Sequence, residues 1–376
     1  MAAEISVVKK IEEMKVAIVC DWLTGIGGAE RVVLELHKMF PGAPIYTSQY
    51  DTSKIDWFKD ADVKTGWLQK IPTSLKKFLP VLRAFYFSNL NLSQYDLVIS
   101  SSGAEAKGIK TGKNTTHISY IHSPTHYYWS RYEEYLKNPG FGRFDWLARL
   151  GLRTLIGPMR IWDKKASARP DFLIANSTHT KNMIKKYYGR ESEVIFPPVN
   201  LEDFKISKNR KREGFVVTGR QTPYKRIDLA VSAFTDLNQE LTVIGDGPKH
   251  DELVSSAGSS IKFIDRADNK ELVEKYQKSK AFIFPTDTED FGIAPVEAMA
   301  TGTPVISYNR GGPLDYIIDD INGVFFSELT KESLIGAVNK FNDIEFDAQK
   351  VSQSVSKFST KAFNDSMKMY IKKVIE

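Results

Sequence analysis

Short apolar runs alternate with longer amphipathic stretches along this chain. Met14-Lys15-Val16-Ala17-Ile18-Val19-Cys20-Asp21 reads as a first strand, followed by a glycine-rich turn and an apolar-periodic helix to about Phe40. Residues 96–101, 116–121 and 171–177 read as further buried strands, and Ser177 or Thr178 is placed to cap the helix after the last. Residues 193–200 add a short strand that ends in Pro197-Pro198, a stiff junction ahead of the polar, lysine-rich residues 207–213. The alternation then restarts. Residues 214–219, 241–244 and 261–264, the run ending at Phe284, and residues 303–307 read as strands, with the pattern continuing to Phe326. Residues 331–341 and 345–375 read as helical. Strand–helix alternation on both sides of a proline-marked junction predicts an α/β protein with two doubly wound parallel sheets.

Composition narrows the class. A chain of 376 residues is long enough for two domains, and 42% hydrophobic with 26% charged residues is ordinary for a globular protein. No apolar run approaches the roughly 18 residues a membrane-spanning helix needs. The single cysteine, Cys20, excludes an internal disulfide and fits a reducing cytoplasm. The net charge of +6 suits an anionic ligand or an anionic membrane surface and is too small to argue for nucleic acid. His122 and His126 are four apart, but Pro124 between them opposes the helix that would align them, so no metal site is expected. Residues 1–13 read as an N-terminal extension with helical periodicity and no signal-peptide pattern.

Two stretches join basic and apolar residues. Residues 68–92 carry Lys70, Lys76, Lys77 and Arg83 with Phe78, Leu79, Leu82, Phe85 and Phe87, and no acidic residue offsets them. Residues 143–165 carry Arg143, Arg149, Arg153, Arg160, Lys164 and Lys165 with Trp146, Leu150 and Trp162. Each reads either as a core helix with a solvated basic face or as an amphipathic segment on an anionic bilayer; two in one half favour the bilayer.

The densest chemistry lies in residues 284–306. Phe284-Pro285 closes a buried strand, and the polar loop after it ends in Phe291-Gly292. A helix is predicted to start near Pro295, a residue tolerated in a first turn, and to stop at Gly302. Glu289 then sits just before the helix and Glu297 within its first turns. The amides around Phe291, Gly292 and Ile293 lie where helix N-termini bind phosphate. Taken alone, the two glutamates read as a helix cap and a solvated side chain. Their setting changes that reading. Glu289, Phe291-Gly292, Pro295 and the run Glu297-Ala298-Met299-Ala300-Thr301-Gly302-Thr303-Pro304-Val305-Ile306 resemble the Glu-seven-residues-Glu signature of retaining nucleotide-sugar glycosyltransferases of family 4.

Other stretches point the same way. Gly27-Gly28-Ala29-Glu30 is similar to the family's Gly-Gly-x-Glu loop near donor phosphate and acceptor, although tight-turn packing alone explains such a loop as well. Gly219-Arg220 and Lys225 resemble its diphosphate clamp, where two cations neutralise a pyrophosphate. Tyr120-Ile121-His122-Ser123-Pro124-Thr125 with Tyr127-Tyr128-Trp129 is similar to bacterial O-antigen and polysaccharide mannosyltransferases, which makes His122 a candidate facing the transferred sugar. Two positions depart from the pattern. His126 stands where an arginine is expected, and Asp265 where glycine usually lies beside the nucleotide base.

The resemblance implies a GT-B fold, two doubly wound domains facing a central cleft. Residues 14–199 would form the acceptor-side domain, 200–357 the nucleotide-sugar domain, and the final helix 358–376 would pack back on the first. It implies retaining transfer of a hexose to a glycan acceptor, with mannose from GDP-mannose preferred on the His122–Trp129 match. UDP-glucose and UDP-N-acetylglucosamine are the alternatives. Arg220 and Lys225 would stabilise the leaving diphosphate in place of a metal, Glu289 would hold sugar hydroxyls and Glu297 the ribose. The acceptor is expected to be lipid-linked, and the protein cytoplasmic and peripheral on the inner membrane face. A GT-B epimerase or a non-catalytic sugar-nucleotide-binding subunit is the competing reading.

Overall fold

The computed structural model describes residues 13–72, 79–140, 142–207 and 211–376. Most of the N-terminal extension, Lys76, Lys77 and Phe78 of the first basic segment, and part of residues 207–213 lie outside the described residues. The chain forms two compact units, one of Met1–Pro198 with Phe363–Glu376 and one of Val199–Ala362.

The first unit is built on seven parallel strands: β1 (Val16–Cys20), β2 (Ile45–Thr47), β3 (Val63–Thr65), β4 (Leu97–Ser102), β5 (Thr116–Ile121), β6 (Phe172–Ala175) and β7 (Glu193–Val194). Their order is β3-β2-β1-β4-β5-β6-β7. Ile18 pairs with Ile99, and Ile99 with Ile118, so the central strands carry aliphatic residues in register. β1 and β4 are buried along their whole length, as expected of a parallel sheet covered on both faces. β2 and β3 have three residues each and carry Tyr46 and Lys64 at their centres, too short and mixed for an apolar run to reveal.

A polar file runs through this core. His117 on β5 is fully buried, with its Nε2 2.9 Å from Ser100 Oγ, and Ser100 Oγ donates to Ser119 Oγ at 2.8 Å. Burial, then the charges of Arg190 and Arg169, pushes the His117 imidazole down to about 3. Unfolded, it titrates near 6.5. Between those values only the unfolded chain takes up this proton, so the contribution of His117 to the stability of the unit falls as the pH drops from about 6.5 towards 3, by up to about 1.4 kcal/mol per unit. All six tryptophans lie in this unit. Urea unfolding read by tryptophan fluorescence at pH 7 and pH 5 is expected to show the loss, and His117→Gln to flatten it.

The second unit holds six parallel strands: β8 (Phe215–Thr218), β9 (Leu241–Ile244), β10 (Ile261–Ile264), β11 (Ala281–Phe284), β12 (Val305–Tyr308) and β13 (Gly323–Phe326). Their order is β10-β9-β8-β11-β12-β13. Phe215 on β8 packs against Phe234 and Phe341 of the covering helices, with ring centres 4.8 and 6.0 Å apart.

Residues 345–375 are not one helix. Asp347 caps a short helix, Ala348–Ser354, by accepting from the amides of Gln349 and Lys350. A 3-10 turn at Ser356–Phe358 follows, and then the helix Thr360–Ile375. The return to the first unit begins at Phe363, later than the expected residue 358. Phe358 stays in the second unit because its ring packs against Phe291 and Tyr316 at 5.4 and 6.0 Å. Phe363, Met367 and Ile371, four residues apart on one helix face, enter the first unit's core. Each such side chain stabilises that seam by about 1.5–3 kcal/mol. No helix among the described residues is long and apolar enough to cross a membrane.

Candidate active site

In an open parallel sheet, ligands bind at the carboxyl ends of the strands where the strand order reverses. In the second unit that point lies between β8 and β11. The loops leaving these strands carry Arg220 and Lys225 on one side and Glu289 on the other. Asp287 N donates to Tyr224 O at 2.9 Å, which ties the loops together, and Lys225 Nζ donates to Glu289 Oε2 at 2.6 Å. The ammonium also stands 5.3 Å from the Tyr224 ring centre and 5.6 Å from that of Phe284, a cation–π setting.

The pair is built at a cost in backbone conformation. Arg226, next to Lys225, has φ 50, and Thr288, next to Glu289, has φ 55. Each left-handed non-glycine residue costs about 1–2 kcal/mol and persists where its surroundings hold it. On the Glu289 side the hold comes from the loop after β12. Gly312 N donates to Glu289 O at 2.7 Å, and Gly311 forms a backbone bridge with Glu289. A Cβ on Gly311 would strike Glu289 O, and one on Gly312 would strike the Phe291 backbone. Tyr316 Oη donates to Phe291 O at 3.0 Å. Burial, then the neighbouring Glu289, pushes this phenol well above its usual value, so it remains a donor.

Gly292, at φ 87, caps the helix Ile293–Ala300, whose first-turn amides have no intrahelical partner. Glu297 lies on this helix and is buried rather than solvated. The structure thus brings Lys225, Glu289 and the start of this helix into one loop cluster. Arg220 stands exposed on the β8 loop and forms no ion pair with them among the described residues.

Sequence reasoning missed the support under Arg220. Gln221 is fully buried, its Nε2 donates to Gly245 O, and its Oε1 lies 3.0 Å from His250 Nδ1. His250 Nε2 is in turn 3.7 Å from Asp265 Oδ1, so the position where glycine was expected carries a carboxylate beside a histidine. Only burial marks Gln221 out, and a polar residue in a loop gives no periodic sign of it.

In the first unit the order reverses between β1 and β4. A pocket of about 240 Å³ opens there, lined by Asp21, Trp22, Glu30, His122, His126 and Tyr127 among others. His122 follows β5, and its Nε2 lies 2.7 Å from Ser101 Oγ. Asp21 closes the switch point by accepting from the amides of Gly103, Ala104 and Ala106 at 2.8, 3.0 and 2.7 Å. Gly27 caps and Gly28 opens the helix Gly28–Met39, whose first turn supplies Glu30 to the wall; the two glycines themselves lie outside it. His126 lines the wall with its Nδ1 2.7 Å from Ser130 Oγ.

Buried ion pairs back this wall. Arg83 Nε donates to Glu105 Oε2 at 2.7 Å, Tyr127 Oη donates to the same carboxylate, and the guanidinium stands 4.8 Å from the Trp22 ring centre. Arg83 therefore belongs to the core, not to a solvated basic face; its partner lies 22 residues away, beyond the reach of helical periodicity. Farther along, Asp163 Oδ1 is 2.7 Å from Lys107 Nζ and accepts from Thr125 Oγ1 at 3.0 Å, while Oδ2 accepts from Trp129 Nε1 at 2.7 Å and Tyr188 Oη at 2.9 Å.

Two parallel α/β units, each with polar side chains at its switch point, have the architecture of the GT-B fold. Known proteins give the family. The pattern of Glycosyltransferase Family 4 matches residues 26–203, and that of Glycosyl transferases group 1 matches residues 199–358. The chain belongs to the family 4-type glycosyltransferases and is a glycosyl-transferring enzyme. It is 23% identical to the Dictyostelium discoideum alpha-1,3/1,6-mannosyltransferase ALG2, over 98% of this chain and all of that protein. It is 26% identical to the Methanocaldococcus jannaschii glycosyltransferase MJ1178, over 58% of this chain and 62% of that protein. The lipopolysaccharide outer core galactosyltransferase WaaB has the same fold, with a TM-score of 0.68 at 17% identity over 95% of this chain and 99% of that one.

Proposed function

We propose that this enzyme transfers mannose from GDP-mannose to a hydroxyl of a glycan acceptor carried on a lipid, with retention of anomeric configuration. The observation that carries the reading is the Lys225–Glu289 pair, 2.6 Å apart at the switch point and placed beside a helix start. In the reaction the bond from the anomeric carbon to the diphosphate oxygen breaks and its electron pair stays on the diphosphate. The acceptor oxygen forms the new bond to that carbon, and its proton passes to the departing diphosphate oxygen. Charge collects on the leaving diphosphate, which Lys225, Arg220 and the amides of Gly292 and Ile293 would meet as fixed donors without a metal. Glu289 would receive sugar hydroxyls while keeping Lys225 oriented, and Glu297 would receive the ribose. Gly27 and Gly28 would let the chain approach the donor, and His122 would contact the sugar.

Mannose is favoured by the His122–Trp129 run and by the full-length likeness to a protein named as a mannosyltransferase. The fold likeness to a named galactosyltransferase keeps UDP-hexose donors as the second reading. Thermal shift against GDP-mannose, UDP-glucose and UDP-N-acetylglucosamine separates them: GDP-mannose alone is expected to raise the melting temperature, and a shift with a UDP sugar only would overturn the donor. Donor breakdown in the presence of EDTA is expected to persist. A product that is an epimerised donor, or no turnover at all, would sink the transferase mechanism in favour of the competing readings.

A further inference from the structure

A surface helix of a folded protein ordinarily turns its apolar stripe inward. The helix Asp145–Ser167 does the reverse. Its buried residues are Met159, Asp163, Ala166 and Ser167, and Asp163 meets Lys107 in the core. Its outward face carries Trp146, Leu150 and Ile161, which are 63%, 51% and 60% exposed. At about 3.6 residues per turn these three fall on one stripe, with Leu147 at its edge and Thr154 and Gly157 between them. The helix Pro80–Asn89 repeats the arrangement. Arg83, Ala84 and Phe87 are buried, whereas Val81 and Phe85, one turn apart, face out. Trp162 Nε1 donates to Ser88 Oγ at 2.8 Å, so the two helices are in contact beside Ile161 and Phe85.

The exposed charges on the outward faces of these two helices have one sign. Arg149 and Arg160, counted in the basic segment from sequence, are turned to the protein: Arg149 caps the carbonyls of Leu136 and Lys137, and Arg160 Nε donates to Tyr128 O at 2.6 Å. Arg153, Lys164 and Lys165 remain exposed along the stripe and form no ion pair among the described residues. Of the helix's two acidic residues, Asp163 is buried and Asp145 lies 3.7 Å from Arg149. Trp, Leu and Ile on a face bordered by lysine and arginine match a helix lying in the plane of an anionic interface, with the long cationic stems reaching the headgroups. Lysine is depleted in protein–protein interfaces, which favours lipid over a protein partner.

We propose that the outward faces of the helices Asp145–Ser167 and Pro80–Asn89 dock the protein on an anionic lipid bilayer. This deepens the proposed function by naming the surface that would meet a lipid-borne acceptor, and it rests on that reading only for the acceptor's carrier. The test is flotation of the full chain with phosphatidylcholine vesicles, with and without about 30% phosphatidylglycerol. The wild-type protein is expected to float with the anionic vesicles at low salt and to be released at high salt. Trp146→Ser/Leu150→Ser/Ile161→Ser is expected to lower the bound fraction at least about tenfold. Arg153→Glu/Lys164→Glu/Lys165→Glu, whose native side chains are exposed and form no ion pair among the described residues, is expected to do the same and keeps the test valid if the apolar variant fails to fold. Equal flotation of the variants, or none of the wild type, overturns the proposal. So does a concentration-dependent dimer that the apolar variant abolishes, since the face would then be covered by a second copy. Turnover of donor with a water-soluble acceptor is expected to be unchanged in both variants; loss of flotation with intact turnover separates this surface from the catalytic reading.

Discussion

Lys225→Ala is expected to lower kcat for sugar transfer by about a hundredfold or more, in line with the loss of one preorganised donor to a developing negative charge. The effect should appear in kcat rather than in KM alone, because the diphosphate gains charge as the anomeric bond breaks. Glu289→Ala is expected to fall at least about tenfold by a different route, loss of the hydroxyl contact and of the group that orients Lys225. Since the two side chains are hydrogen-bonded at 2.6 Å, their effects should not add: the double variant is expected to cost little more than Lys225→Ala. Lys225 and Glu289 are only 17% and 21% exposed, so removing one partner also costs stability, and the melting curves of the variants separate that cost from the loss of chemistry. Unchanged rates in both single variants, with unchanged melting curves, would remove these residues from the mechanism.

How far this pair was legible in the sequence depends on the kind of signal. The strands that enter it were plain, because β8 and β11 are buried apolar runs bounded by glycine and proline. Periodicity does not place Lys225 beside a glutamate 64 residues away. That juxtaposition follows from β8 and β11 being neighbours in the sheet, and at the level of sequence only the family resemblance carried it. The same distinction explains the misreadings. Arg83 and Arg160 look like members of solvated basic faces until their partners, Glu105 and the Tyr128 carbonyl, are brought in by the fold. Asp163 sits in a stretch that reads as basic, yet it is one of the inward residues of that helix. Phe358 reads as the start of the returning helix, but its ring has aromatic neighbours on the second unit. In each case the local pattern was consistent with two environments, and a contact made over a long sequence separation selected one.

The largest stability effect is expected at Lys107. Its ammonium and the Asp163 carboxylate are 1% and 0% exposed, so neither charge has water to fall back on. Lys107→Met leaves Asp163 with only the neutral donors Thr125, Trp129 and Tyr188. Breaking a buried pair from one side costs about 3–5 kcal/mol, chiefly the desolvation of the charge left behind. Asp163→Asn strands the ammonium instead, against the Ala104 carbonyl and Thr125 Oγ1, and is expected to cost a similar amount. Lys107→Met/Asp163→Leu removes both charges and should recover a substantial part of the loss, although Trp129, Tyr188 and Thr125 then lack their acceptor. Urea unfolding followed by tryptophan fluorescence reads the first unit alone, since it holds all six tryptophans. If Lys107→Met shifts the midpoint no more than a surface lysine variant does, the network is not holding the fold. The coupling to function runs through the same atoms: Thr125 and Trp129 belong to the segment that leaves β5 with His122. A variant that loosens Asp163 is therefore expected to weaken acceptor-dependent turnover before it unfolds the unit, whereas donor binding by the Val199–Ala362 unit, measured by thermal shift, should be retained.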